Sequence, residues 1–160
     1  MKTLIAYATK YGTTETCAKL LAEAMSDPVD LINLSKGESA EPAQYEAVVV
    51  GGPIYAGQLR KEVRAFMRKH KRNLLEVRFG CFICQASPQF ESHNDFDANF
   101  DRDLLEHASA RSSFGGQLHE EKMTFFDRLI LGAIAKRGGA KPPHINKEKI
   151  RSFALAMEVT

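Results

Sequence analysis

Cysteine is scarce in this chain, with three residues in 160, too few for a disulfide-stapled secreted scaffold. No run resembles a secretory signal, since Met1-Lys2 leads straight into Thr3-Leu4-Ile5-Ala6-Tyr7-Ala8, which reads as a buried strand. No apolar stretch approaches the ~20 residues that span a bilayer. A cytoplasmic location is the expectation. The two common nucleotide fingerprints are missing as well. Without G-x-x-x-x-G-K-[ST] an ATP or GTP P-loop is not expected, and without G-x-G-x-x-G a dinucleotide pyrophosphate fingerprint is missing too.

Metal and hydrolytic chemistry find little support. The five histidines (His70, His93, His107, His119 and His144) form no ligand spacing, and no Ser-His-Asp or paired-carboxylate set can be assembled. Asp95, Asp97, Asp101 and Asp103 lack the central glycine and terminal glutamate of a calcium loop. Cys81-Phe82-Ile83-Cys84 is formally C-x-x-C, but it falls inside an apolar run that reads as a strand. Side chains three apart on a strand point to opposite faces, so these thiols are expected to pack in the core, not to pair. Cys17 is expected in the core too.

With 44% hydrophobic and 26% charged residues, the composition is that of one ordinary globular domain spanning residues 1–160. The net charge of +2 conceals segregation. Residues 59–73 carry seven Lys/Arg against one acid, residues 122–151 carry eight against two, and residues 91–106 carry six acids against one base. Such runs ordinarily form solvated faces, and no nucleic-acid partner is expected.

Strand and helix patterns alternate throughout. Residues 29–34 and 47–52 read as the second and third strands, the third as a continuous apolar run suited to a central parallel strand. Leu59, Val63, Phe66, Met67 and His70 make a helical stripe. A fourth strand is predicted near 77–85, a helix near 98–110 capped by an aspartate, and a weak fifth strand over 113–118. A closing helix carries Ile150, Phe153, Ala154 and Met157, with Asn146 as its cap. Alternation of this kind implies an α/β fold, a doubly wound parallel sheet with helices on both faces.

The most informative segment joins the first strand to the first helix: Thr9-Lys10-Tyr11-Gly12-Thr13-Thr14-Glu15-Thr16. Cys17, Ala18, Leu21, Ala22 and Met25 then line one helix face. A hydroxyl-rich loop with one glycine at a helix start is a phosphate cradle. Free N–H groups and the helix dipole favour an anion, and the threonine hydroxyls add donors.

The places Tyr7, Thr9, Gly12, Thr14 and Ala18 resemble the phosphate loop of the flavodoxins. That resemblance implies five strands in the order 2-1-3-4-5, the arrangement for which flavodoxin is a standard example, with FMN at the switch point beyond the first and third strands. It makes Thr9, Lys10, Tyr11, Gly12, Thr13 and Thr14 cofactor-binding residues, with Thr9, Gly12, Thr13 and Thr14 holding the phosphate. Gly51-Gly52-Pro53-Ile54-Tyr55-Ala56-Gly57 is similar to the flavodoxin loop that begins Gly-x-Pro and carries an aromatic. By that likeness Pro53, Ile54, Tyr55, Ala56 and Gly57 shape the ring site. Tyr55 is the candidate to stack on the isoalloxazine, and the region of Gly57 is free to reorient a peptide toward the flavin N5 on reduction. After the fourth strand, Gln85, Ala86, Ser87 and Phe90 are the candidates to meet the pyrimidine edge and cover the second face.

Residues 123–137 contain Phe125-Phe126-Asp127-Arg128-Leu129 and a stretch that is apolar over more than half a helical circumference, followed by Gly138-Gly139. A helix of that kind must bury its surface in the protein, a partner or a lipid interface. Together with Met1-Lys2-Thr3-Leu4-Ile5 and Lys69-His70, the segment resembles the bacterial menaquinone-dependent protoporphyrinogen dehydrogenases. That resemblance implies an FMN-dependent oxidoreductase acting on a porphyrinogen and a quinone, with peripheral membrane contact through residues 123–137. The alternative is an electron carrier serving a redox partner protein, although flavodoxin carriers are typically acidic and this chain is not. No residue is assigned as a general acid or base.

Overall fold

The computed structural model describes residues 2–85, 95–115 and 145–158. In chain order the elements are β1 (Thr3–Tyr7), α1 (Thr13–Ala24), β2 (Val29–Asn33), β3 (Ala47–Tyr55), β4 (Gln58–Leu59), α2 (Lys61–Glu76), β5 (Arg78–Cys84), α3 (Asp95–Asn99), α4 (Arg102–His107), β6 (Ala110–Ser113) and α5 (Lys147–Glu158). The sheet runs β2-β1-β3-β5-β6, with the two-residue β4 paired to β3 off that path. The five long strands are parallel and follow the predicted order. The sixth is a short antiparallel addition.

Period-two alternation sorts the side chains onto two cores. Leu4, Ala6, Val48, Val50, Phe79, Cys81 and Ile83 face Val63, Phe66 and Met67 of α2 and Leu104 of α4. Ile5, Tyr7, Val49, Phe82 and Cys84 face Cys17 and Leu21 of α1 and Phe153 and Met157 of α5. Cys81 and Cys84 therefore lie on opposite faces, as a strand requires, and all three cysteines are free and buried. Burial pushes the Cys81 thiol up to about 12. Contact with Cys17, reinforced by burial, raises that of Cys84. Both remain protonated thiols, inert as core residues are.

Several boundaries differ from the sequence reading. The third strand does not end at Gly52 but continues to Tyr55, because Ile54 and Tyr55 pair with Leu59 and Gln58. Leu59 thereby leaves the helical stripe and enters the hairpin, still fully buried. The helix expected near 98–110 is two short helices, the second capped by Asp101, whose carboxylate accepts from the Asp103 amide at 2.8 Å. The last strand lies at Ala110–Ser113, not 113–118. It is an edge strand of small and polar residues, half-buried except for exposed Arg111, so it lacks the large apolar residues that mark central strands, and buried Phe114 follows it. Asn146 caps α5 as expected, accepting from the Lys149 amide at 3.0 Å. Residues 123–137, Ala86, Ser87 and Phe90 lie outside the described residues.

The opposite charge runs partly meet. Lys71 of α2 bridges Asp101 at 3.0 Å and Asp103 at 3.1 Å, and the bond from Lys71, helped by the Asp103 and Leu104 amides, holds the Asp101 carboxyl below its usual range. All three side chains are well exposed, so the contribution to stability is small. Among the described residues, no helix is long and apolar enough to cross a membrane.

Gly51 shows how tightly the sheet packs at its centre. It pairs with Phe82, and a Cβ there would lie 2.2 Å from two carbons of the Phe82 ring. That ring is held by stacking on Phe114 at 4.7 Å between centroids. Gly51→Ala is therefore expected to destabilise the domain by about 1–3 kcal/mol, read as a lower urea midpoint at unchanged m-value. Adding Phe82→Leu is expected to restore part of the loss. A Gly51→Ala protein that unfolds at the wild-type midpoint would contradict this packing.

Candidate functional site

The chain leaves β1 to build β2 on one side and returns to build β3 on the other. The loops after β1 and β3 therefore diverge and leave a crevice at the carboxyl edge, where ligands of such sheets sit. The first loop is held from below and from the side. Ala8 donates to the Gly51 carbonyl at 3.2 Å, and the Thr9 amide donates to Ser35 Oγ at 3.1 Å. Ser35 is in turn fixed by Asn33, whose Oδ1 accepts from the Ser35 amide at 3.0 Å and from its hydroxyl. Gly12 donates to Thr9 Oγ1 at 2.8 Å and adopts φ 96, a left-handed turn that feeds directly into α1.

The start of α1 has no side-chain cap. Thr16 bonds back to the Gly12 carbonyl through its amide and its hydroxyl, both at 3.1 Å. Thr14 is buried, and its Oγ1 has no hydrogen-bond partner. Its contact with the Cys84 thiol is too weakly polar to satisfy a buried hydroxyl. An orphaned hydroxyl beside uncapped helix N–H groups fits a phosphate. Glu15, an acid in the same first turn, is engaged elsewhere. It bonds the Tyr7 hydroxyl, whose proton is held more tightly than usual, first by burial and then by Glu15 and Glu38. It also pairs with Lys19 at 3.3 Å.

Lys10 connects this loop to the next. Its Nζ lies 4.0 Å from the Tyr55 ring centroid and 5.1 Å from that of Tyr11, within cation–π range. Tyr55 is 46% exposed, a large aromatic standing at the open edge of the sheet. It begins a two-residue hairpin, Tyr55-Ala56-Gly57-Gln58, with φ 53 at Ala56 and 77 at Gly57. Pro53 and Ile54 are half-buried within the strand, not in a loop.

Gln85 ends β5. Its amide donates to the Gly115 carbonyl at 3.0 Å, and its side-chain nitrogen donates to the Asp95 carboxylate. Its buried Oε1 has no partner. The structure thus brings Thr9, Lys10, Gly12 and Thr14 together with Tyr55 across the crevice, and sets Gln85 inward against α3.

Sequence reasoning missed the supports. Asn33 ends β2 and Ser35 follows it, and their Asn-x-Ser pattern is an Asx-turn signal. Asn99, which bonds the hairpin from 40 residues away, carried no local signal. Among the described residues, no group of His, Cys, Asp and Glu could hold a metal.

These features define an α/β domain with a hydroxyl-rich loop and an uncapped helix start at the switch point of a doubly wound sheet. The family profile of the flavodoxin domain matches residues 4–143, and the chain belongs to that family. It is 24% identical over 149 residues to the protoporphyrinogen IX dehydrogenase [quinone] of Escherichia coli strain K12, covering 88% of this chain and 82% of that protein. A protein of the same name from Leishmania major is 25% identical and is covered over 64% of its length. Among solved structures, a short-chain flavodoxin associated with a bacterial microcompartment superposes with TM-score 0.63 at 14% identity, covering 98% of this chain and 96% of that one. Flavodoxin 1 of Bacillus cereus gives 0.59 at 13% over the whole of both chains. A Lactobacillus acidophilus flavoprotein in complex with FMN gives 0.56 at 14%, over 70% of this chain and 92% of that one.

Ser35→Ala isolates the support of the loop after β1. Loss of the acceptor for Thr9 is expected to cost about 0.5–1.5 kcal/mol and to speed exchange of the Thr9 amide hydrogen, measured by NMR. Unchanged protection would mean that Thr9 is held by something other than Ser35.

Proposed function

We propose that this protein binds FMN at the carboxyl edge of its sheet and works as a flavin-dependent oxidoreductase of the protoporphyrinogen IX dehydrogenase (quinone) kind. The observation that carries the cofactor reading is the buried, unpartnered Thr14 hydroxyl beside the uncapped start of α1. The first-turn N–H groups and the hydroxyls of Thr9, Thr13 and Thr14 hold the phosphate. Thr9 Oγ1 already accepts from Gly12, so its own proton is left to donate outward. Lys10 adds positive charge between phosphate and ring, and Tyr55 offers a flat face for stacking.

When bound, FMN supplies the exchange of electrons at its ring, and the protein sets access and potential. The specific activity is supported by the relatives of that name over 88% of this chain. Contact of residues 123–137 with a quinone, a hydrophobic substrate or a membrane rests on their apolar and basic sequence pattern. The second reading is an electron carrier that docks on a partner protein. A dehydrogenase turns over with porphyrinogen and soluble quinone, whereas a carrier exchanges electrons only with its partners.

The cofactor reading is tested by Thr14→Ala. Loss of one charge-assisted bond of about 1.5–3 kcal/mol is expected to weaken FMN by roughly ten- to a hundredfold while leaving riboflavin, which lacks the phosphate, nearly unchanged in a fluorescence titration. Equal weakening of both would show that Thr14 does not serve the phosphate. Absence of porphyrinogen-to-quinone turnover in FMN-loaded protein would favour the carrier.

A further inference from the structure

The basic run of residues 59–73 takes a defined place in the fold. Most of it lies on α2, which buries Val63, Phe66, Met67, His70 and Leu74 against the sheet. At about 100° per residue, Lys61, Arg64, Arg68, Lys69 and Arg72 fall on the side opposite that stripe, and all five are exposed. The row is about 16 Å long. Between Lys61 and Arg72 just one other residue is exposed, the small Ala65.

The acids that border this row are engaged by groups outside it. Glu62 pairs with Arg60 at 3.1 Å, Asp101 and Asp103 pair with Lys71, and Glu106 pairs with Arg102 at 3.1 Å. Glu41 accepts from Asn73 at 3.0 Å and lies 3.8 Å from His70. Among the described residues, ion pairing by the row itself is confined to Arg72 and Glu76, at 4.0 Å with side chains 94% and 67% exposed. So exposed a pair neutralises little. Positive charge therefore faces solvent along one side of one helix, with no exposed acid between Lys61 and Arg72.

What such a face fits follows from what it lacks. A protein interface is centred on aromatic or apolar anchors. Among the described residues the exposed large hydrophobics are Tyr55 and Leu155, and neither is on α2. A nucleic-acid face adds aromatic platforms for bases, or amide and hydroxyl side chains for base edges, and the row holds cations and one alanine. An anionic bilayer asks for none of these. Its headgroups are fluid, need no fixed shape opposite them, and attract each Lys or Arg that comes within a Debye length.

We propose that the outer face of α2 docks this protein on an anionic lipid surface through Lys61, Arg64, Arg68, Lys69 and Arg72. Ala65, in the middle of the row, lets the helix lie close to the headgroups. The helix follows directly on the hairpin at the carboxyl edge of the sheet, so a bilayer bound along it passes beside the crevice. The inference goes beyond the cofactor reading and does not need it, because the row is complete without FMN. It is separate from residues 123–137 as well, whose apolar contact would persist at high salt.

The test uses the full chain, with and without FMN, in co-sedimentation with two kinds of vesicle. One is phosphatidylglycerol and phosphatidylcholine in equal parts, the other phosphatidylcholine alone. Wild type is expected to bind the anionic vesicles at low salt, to leave them as salt rises, and to ignore the neutral ones, in both cofactor states. Arg64→Gln/Arg68→Gln/Arg72→Gln removes three exposed charges without touching the core. It is expected to weaken anionic-vesicle binding by on the order of a hundredfold. Lys147→Gln/Lys149→Gln/Arg151→Gln removes as much charge from α5, on the opposite face of the sheet, and is expected to change binding by less than about threefold. No anionic-vesicle binding by wild type, or equal losses in the two variants, would overturn the proposal. So would binding that survives both high salt and the α2 substitutions, which would put the contact elsewhere in the chain. Displacement from the vesicles by duplex DNA or by polyglutamate at equal total charge would overturn the lipid assignment in favour of that partner class. Vesicle binding that follows this pattern in protein unable to retain FMN would defeat the cofactor reading and leave the docking face standing.

Discussion

The parallel pairing of β1 with β3, from Thr3 opposite Ala47 to Tyr7 opposite Gly51, is the constraint on which the rest depends. Two strands separated by β2 in sequence are neighbours in space, so the connections leaving their carboxyl ends run apart. The crevice between those connections follows from topology before any side chain is considered. β1 and the stretch of β3 paired with it are buried on both faces, which demands helices above and below. The apolar stripes of α1 and α2 answer that demand from opposite sides.

Polar groups concentrate where the apolar layers stop. At the crevice the chain uses hydroxyls and amides to hold loops that lack ladder hydrogen bonds. Asn33 and Ser35 brace the loop after β1, and Asn99 braces the hairpin after β3. Asp95 and Gln85 carry that bracing to the end of β5. Lys10, over the Tyr55 ring, joins the first group to the second. The loop after β1 and the hairpin after β3 are thus parts of one connected frame.

Charge follows a different logic. The acidic and basic runs look in the sequence like separate solvated faces. In the fold, α2 and α4 bring Lys71 against Asp101 and Asp103, so part of the segregation is neutralised locally. Such exposed pairs bear on long-range attraction and solubility more than on stability.

What the sequence determined by itself was the set of local decisions. Apolar periodicity specified the central strands and the three long helices, because burial on both faces leaves no room for polar residues. Asn146 and the aspartates around residue 101 announced helix starts. The edge strand at Ala110–Ser113 was displaced in that reading because it is half-covered and its composition is not distinctive. Tertiary structure alone decided which distant groups meet. No local pattern ties Asn99 to Gly57 and Leu59, or Ser35 to Thr9, since these bonds join elements 26 to 42 residues apart. The left-handed Ala56 was equally hidden. Its conformation is imposed by strand pairing on either side, and an isolated alanine would not choose it.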